Sequence, residues 1–138
     1  MFKIYNENGL DRFEFEGYEV FIMRYSDVLC SVNDIEIIRV NQQFMNLDEN
    51  TQKFILYHEL GHIHYGHNKQ DQETNERNKR KRKLYFRFGL VPKEEIQADL
   101  YAAKMIGKEN ALKALQKSLE ILRTKEFKTR KLIMKIFG

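Results

Sequence analysis

This chain has one cysteine and one proline in 138 residues. The lone Cys30 cannot form an intramolecular disulfide. Its setting, Val28-Leu29-Cys30-Ser31-Val32, reads as a buried structural thiol in a reducing compartment. The single Pro92 leaves no proline-rich linker, and no repeat period is visible. There is no charged-then-apolar leader, and no apolar run of the ~18 residues that a membrane span requires. These absences lead to the expectation of a soluble, unprocessed, cytoplasmic protein with no membrane partner. Its length fits one domain over residues 1–138.

A net excess of basic charge is also absent outside one place. Six of the 24 Lys and Arg side chains lie in residues 77–83, RNKRKRK, and without them the 20 acidic residues outnumber the basic ones. The excess of positive charge is therefore a local loop feature within a polar connection at about 68–83.

The rest of the chain changes period once. Tyr18 to Tyr25, Val28 to Val32 and Ile35 to Val40 are short runs rich in β-branched and aromatic residues, separated by Ser-Asp and Asn-Asp pairs, and predict a small antiparallel sheet. From Leu47 a helix is expected, capped by Asn46 or Asp48, with Leu56, Leu60 and Ile63 on one face and Gly66 as its stop. A second helix should open at Pro92 and close at Gly107. C-terminal helices should cover about 108–137, the first with Leu112, Leu115, Leu119 and Leu122 on one face, the last basic and amphipathic from Lys125 to Phe137. Strands followed by helices make an α+β domain.

Histidine is absent except in YHELGHIHYGH, residues 57–67, which holds His58, His62, His64 and His67. His58, Glu59 and His62 form H-E-x-x-H. Residues four apart on a helix differ by about 40° around its axis, so both imidazoles project to one side and can share one ion. That arrangement suits one tetrahedral Zn²⁺, with Glu59 placed to act as base on a metal-bound water. Two unliganded histidines are the bland alternative. His64 and His67 lie about 200° and 180° away from His62 and His58 and are expected to be surface residues at the helix end. The metzincin spacing fails, because it needs Gly at 65 and His at 68, where Tyr65 and Asn68 stand.

A third ligand is expected from Glu94-Glu95-Ile96-Gln97-Ala98-Asp99. Glu95 and Asp99 share a helix face, so that Glu95 can bind the metal while Asp99 accepts the outer ring N–H of a ligand histidine; Glu94 is the second choice. Ala98 is small enough for close helix approach. Gly61 in the first helix costs about 1 kcal/mol against alanine and fits a crossing there, or is simply tolerated. The donor to the oxyanion stays open among Tyr65, His64, Tyr57 and Tyr101.

HELGH followed by E-x-x-A-D and then Tyr101-Ala102-Ala103 resembles the ImmA/IrrE family of zinc metallo-endopeptidases over roughly residues 18–107. The resemblance implies a zincin-like fold, zinc on His58, His62 and Glu95, and Glu59 as catalytic base. It further implies a helix-turn-helix repressor of a prophage or mobile element as substrate. No large C-terminal regulatory region like that of the radiation-response branch is expected, which weighs against that role. The rival reading is a non-catalytic zinc-bound regulatory or nucleic-acid-binding module using the run 77–83. Structural zinc favours four protein ligands, often cysteine-rich, whereas one cysteine and an open fourth position argue for catalysis. A second rival is an interaction protein acting through the basic helix from Lys125 to Phe137.

Overall fold

The computed structural model describes residues 2–69, 77, 80, 91–122 and 125–138. Five strands form one mixed sheet: β1 (Tyr5–Glu7), β2 (Leu10–Phe15), β3 (Tyr18–Ile22), β4 (Cys30–Val32) and β5 (Ile38–Val40), in the order β1-β2-β3-β5-β4. Two tight hairpins begin it. The β1–β2 loop places Asn8 at φ 54° and Gly9 at φ 82°, and the β2–β3 loop places Glu16 at φ 51° and Gly17 at φ 81°. Paired left-handed residues are what a two-residue hairpin needs to match the strand twist.

The expected antiparallel sheet is corrected in two respects. Two strands precede Tyr18, and β3 pairs with β5 in parallel, Val20 opposite Ile38 and Ile22 opposite Val40. The chain passes the β5 position to lay β4 on the outer edge, then returns antiparallel to it. The expected strand from Ile35 is also shorter. Asn33 Oδ1 accepts from the backbone N–H of Ile35 at 3.1 Å and of Ile37 at 2.9 Å, a turn that leaves Ile35 exposed and delays pairing to Ile38.

Among the described residues the helices that follow are α1 (Gln42–Met45), α2 (Glu49–His64), α3 (Lys93–Ile106), α4 (Lys108–Leu122) and α5 (Lys125–Phe137), with a 3-10 turn at His67–Lys69. Asp48 caps α2, its carboxylate accepting from Thr51 N at 3.1 Å and Thr51 Oγ1 at 2.7 Å. Gly107, at φ 93°, ends α3. Among the described residues no helix is long and apolar enough to cross a membrane.

Helix α2 lies between two apolar layers. Leu56 and Leu60 join Phe13, Phe15, Val20, Ile22, Ile38, Val40 and Phe44 on the sheet side. Phe54 joins Ala102, Ala103, Ala111, Ala114, Leu115 and Met134 on the helical side. A helix held on two sides buries polar positions as well as apolar ones, which is how His58, Glu59 and His62 come to be buried. On α4 the buried face carries Ala111, Ala114, Leu115 and Ser118, with Leu112 and Leu119 only half-buried, so small residues rather than a leucine stripe set its packing distance.

Helices α2 and α3 cross at Gly61. A Cβ there would lie 2.9 Å from Ala98 Cα and 3.2 Å from Ala98 O, both backbone atoms. Gly61→Ala should therefore lower the denaturation midpoint. Forcing a methyl into this crossing costs on the order of 1–3 kcal/mol, against about 1 kcal/mol gained in helix propensity. An unchanged or raised midpoint would show that the two helices separate freely.

Candidate metal centre

The crossing at Gly61 brings the two motif-bearing helices face to face. His58 and His62 look out from α2, and Glu95 faces them from the first turn of α3. His58 Nε2 lies 2.9 Å from Glu95 Oε2, His62 Nε2 lies 3.5 Å from Glu95 Oε1, and the two Nε2 atoms are 3.1 Å apart. One ligand atom from each of the three residues falls within 4.8 Å of the others. Tetrahedral donors at about 2.0–2.1 Å from an ion are separated by about 3.4 Å, so this donor set fits one small divalent cation. All three residues are buried, at 7%, 8% and 8% exposure for His58, His62 and Glu95.

The back of His58 is held by an ionic chain. Its Nδ1–H donates to Asp99 Oδ1 at 2.7 Å, and Arg130 on α5 grips the same carboxylate through both oxygens, with Nε to Oδ2 at 2.7 Å. Arg130 Nη2 also lies 3.4 Å from His58 Nδ1, a contact between two donors sharing Asp99 Oδ1 rather than a hydrogen bond. Asp99 is 4% and Arg130 8% exposed. Burial would raise the Asp99 carboxyl, but Arg130 and His58 outweigh it and hold it below its usual value.

Burial would lower the His58 pKa, yet the Glu95 and Asp99 carboxylates outweigh it and raise it to about 10 in the metal-free protein. Glu95 is likewise opposed by burial and held well below the carboxylate range by His58 and His62. The folded His58 value stands above the ordinary 6.5. Its contribution to metal-free stability is thus fully present below that ordinary value and is lost as pH rises through about 10. An ion entering the cluster must displace this proton. The apparent affinity for a divalent cation is therefore expected to keep rising by about a decade per pH unit from pH ~7 to ~9, with about one proton released per ion. Chelator-buffered titrations across that range measure it; a plateau near pH ~7 would show an ordinary imidazole.

Glu59 is 9% exposed and follows His58 directly. Cys30, on the edge strand β4, is half-buried, and burial together with the Glu59 charge raises its pKa well above the usual thiol value. That describes a protonated, unreactive thiol. Glu94 is half-buried and is not one of the three converging residues.

His67 departs from the expectation of a surface residue. Helix α2 ends at His64, Gly66 adopts φ 73°, and the 3-10 turn carries His67 back until its Nδ1 is 2.9 Å from His62 Nδ1. His64 is exposed as expected and stacks on Tyr101, ring centroids 5.1 Å apart. Tyr57 points to the β2–β3 turn, donating to Glu16 Oε1 at 3.3 Å. Tyr65 is 49% exposed and stacks on His67.

The sequence reading passed over Arg130 and Gln97 and placed His67 on the surface. Arg130 sits in a basic amphipathic stretch whose charges read as a solvated face, and no periodicity separates the one buried arginine from its neighbours. Gly66 was the available signal for His67, because a left-handed stop can reverse the chain onto its own helix.

A profile of the Peptidase U49 family matches residues 36–136, most of the chain. The chain belongs to this family. No curated protein and no solved structure matches it. The U49 match begins just before β5 and reaches the last turn of α5, so it includes the three converging residues as well as Glu59, His67, Gln97, Asp99 and Arg130. Membership makes the protein a peptidase. The resemblance to ImmA/IrrE proteins rests on the two motifs, and the family matched is U49.

Proposed function

We propose that this U49 peptidase is a zinc-dependent endopeptidase of zincin-like design. His58, His62 and Glu95 hold the ion, Glu59 is the catalytic base, and Asp99 orients His58. The observation that supports it most is the approach of two Nε2 atoms and one carboxylate to within 2.9–3.5 Å of one another in a buried site. A bound Zn²⁺ supplies Lewis acidity to a scissile carbonyl and lowers the pKa of water at the site. The chain's own residues do the rest. Asp99 holds His58 with its proton on Nδ1, leaving Nε2 as a donor. Glu59 takes a proton from the attacking water and delivers it to the leaving amine nitrogen.

A protein is the substrate in this reading, and the motif resemblance points to a helix-turn-helix repressor of a prophage or mobile element. A cytoplasmic setting follows from that substrate. The rival regulatory reading draws on the run 77–83, of which only Arg77 and Arg80 lie among the described residues, both exposed. U49 membership favours the enzyme. Incubation with a genetically neighbouring helix-turn-helix protein, with and without a chelator, and mass measurement of the fragments tests the proposal. Chelator-sensitive fragments support it, whereas salt-sensitive DNA binding without peptidase activity would support the rival.

Glu95→Ala is expected to lower zinc affinity by at least the roughly 10–100-fold seen when an outer partner of a ligand is removed. Metal content after dialysis measures it. Unchanged content would move the third ligand elsewhere.

A further inference from the structure

The ring edge of His62 opposite the cluster belongs to neither the ligand set nor the proposed chemistry. There His62 Nδ1 and His67 Nδ1 stand 2.9 Å apart, and His67 Nε2 lies 3.0 Å from Gln97 Oε1 on α3. Two ring nitrogens at that distance share one proton, and the far end of the chain decides which of them carries it. The Gln97 carbonyl oxygen only accepts, so His67 bears its proton on Nε2 and offers a lone pair at Nδ1. His62 then donates through Nδ1–H, and its Nε2 lone pair faces His58 Nε2 and Glu95.

From this geometry we infer that His67 and Gln97 are positioning residues that fix His62 as an Nε2 ligand, a neutral counterpart of the Asp99–Arg130 chain behind His58. The inference rests on the zinc reading above. His67 is no ligand itself, because it meets His62 on the edge away from the converging atoms. Three local features hold it in place: the left-handed Gly66 at φ 73°, the Tyr65 ring stacked at 5.8 Å and 18°, and Gln97, two residues past Glu95. Because this chain carries no formal charge, it should strengthen its ligand less than the Asp99 chain does. The opposite polarity, with the Gln97 amide N–H donating, would put a proton on His62 Nε2 and block metal binding.

The test is a zinc competition titration against a chromophoric chelator for the wild type, H67F, H67N and Q97L, combined with nitrogen-15 spectra of the zinc-loaded imidazoles. Circular dichroism and thermal melting control for folding. H67F should weaken zinc binding roughly tenfold, H67N should recover most of that through its amide oxygen, and Q97L should lie between them. The wild-type His62 ring should carry its proton on Nδ1, with a resonance displaced in H67F. Equal zinc affinity for the wild type, H67N and Q97L, with an unshifted His62 Nδ1–H, overturns this inference alone, even if H67F fails to fold. A His62 proton on Nε2 overturns it too. A wild-type protein that binds no zinc overturns both this inference and the metal reading.

Discussion

On the proposed zinc mechanism, Glu59→Gln is expected to bind zinc as the wild type does and to lose roughly 10²–10⁴-fold in peptide hydrolysis. Glutamine matches glutamate in volume, so the buried site between β4 and the helical layer is not disturbed by size. The three converging residues are untouched, so metal content should equal that of the wild type. Only the capacity to take up a proton is removed. Turnover and metal content measured on the same preparation separate the two effects. Full cleavage by the variant would transfer the base to another residue, while loss of zinc would give Glu59 a share in holding the ion.

Arg130→Met should destabilise the protein by about 3–5 kcal/mol, because it strips the buried Asp99 carboxylate of its guanidinium and leaves it only His58, which Glu95 shares. Arg130 contacts both oxygens of a group that is 4% exposed. Removing one member of such a pair costs more than removing both, since an uncompensated charge stays behind. The double variant Asp99→Asn with Arg130→Met should therefore unfold at a higher denaturant concentration than Arg130→Met alone. If the single variant is as stable as the wild type, Asp99 is not held ionised by Arg130. Additive effects in the cycle would show that the pair is not energetically coupled.

What could be read from the sequence was what depends on local spacing. The cap at Asp48, the stop at Gly107 and the shared faces of His58 with His62 and Glu95 with Asp99 all follow from residues within one helical turn of each other, and each has the geometry expected. Gly61 in a helix left close approach and simple tolerance both open, and the contact with Ala98 is the former. The first hairpin was missed although Asn8-Gly9 is a strong turn signal, because its strand β1 is exposed throughout and carries no inward alternation. Parallel pairing of β3 with β5 was hidden because it depends on where β4 is laid, a tertiary choice. His67 and Arg130 were misread or missed for the same reason. An angle around an ideal helix says nothing once Gly66 reverses the chain, and a contact between residues 99 and 130 leaves no trace in either local pattern. Most of the basic run 77–83 lies outside the described residues.

The grip of α5 on Asp99 also sets an order of events during translation. Arg130 follows His58, His62 and Glu95 in the chain, so the three converging residues leave the ribosome while the carboxylate behind His58 still lacks this counter-charge. Until that contact forms, the Asp99 carboxylate receives nothing from α5.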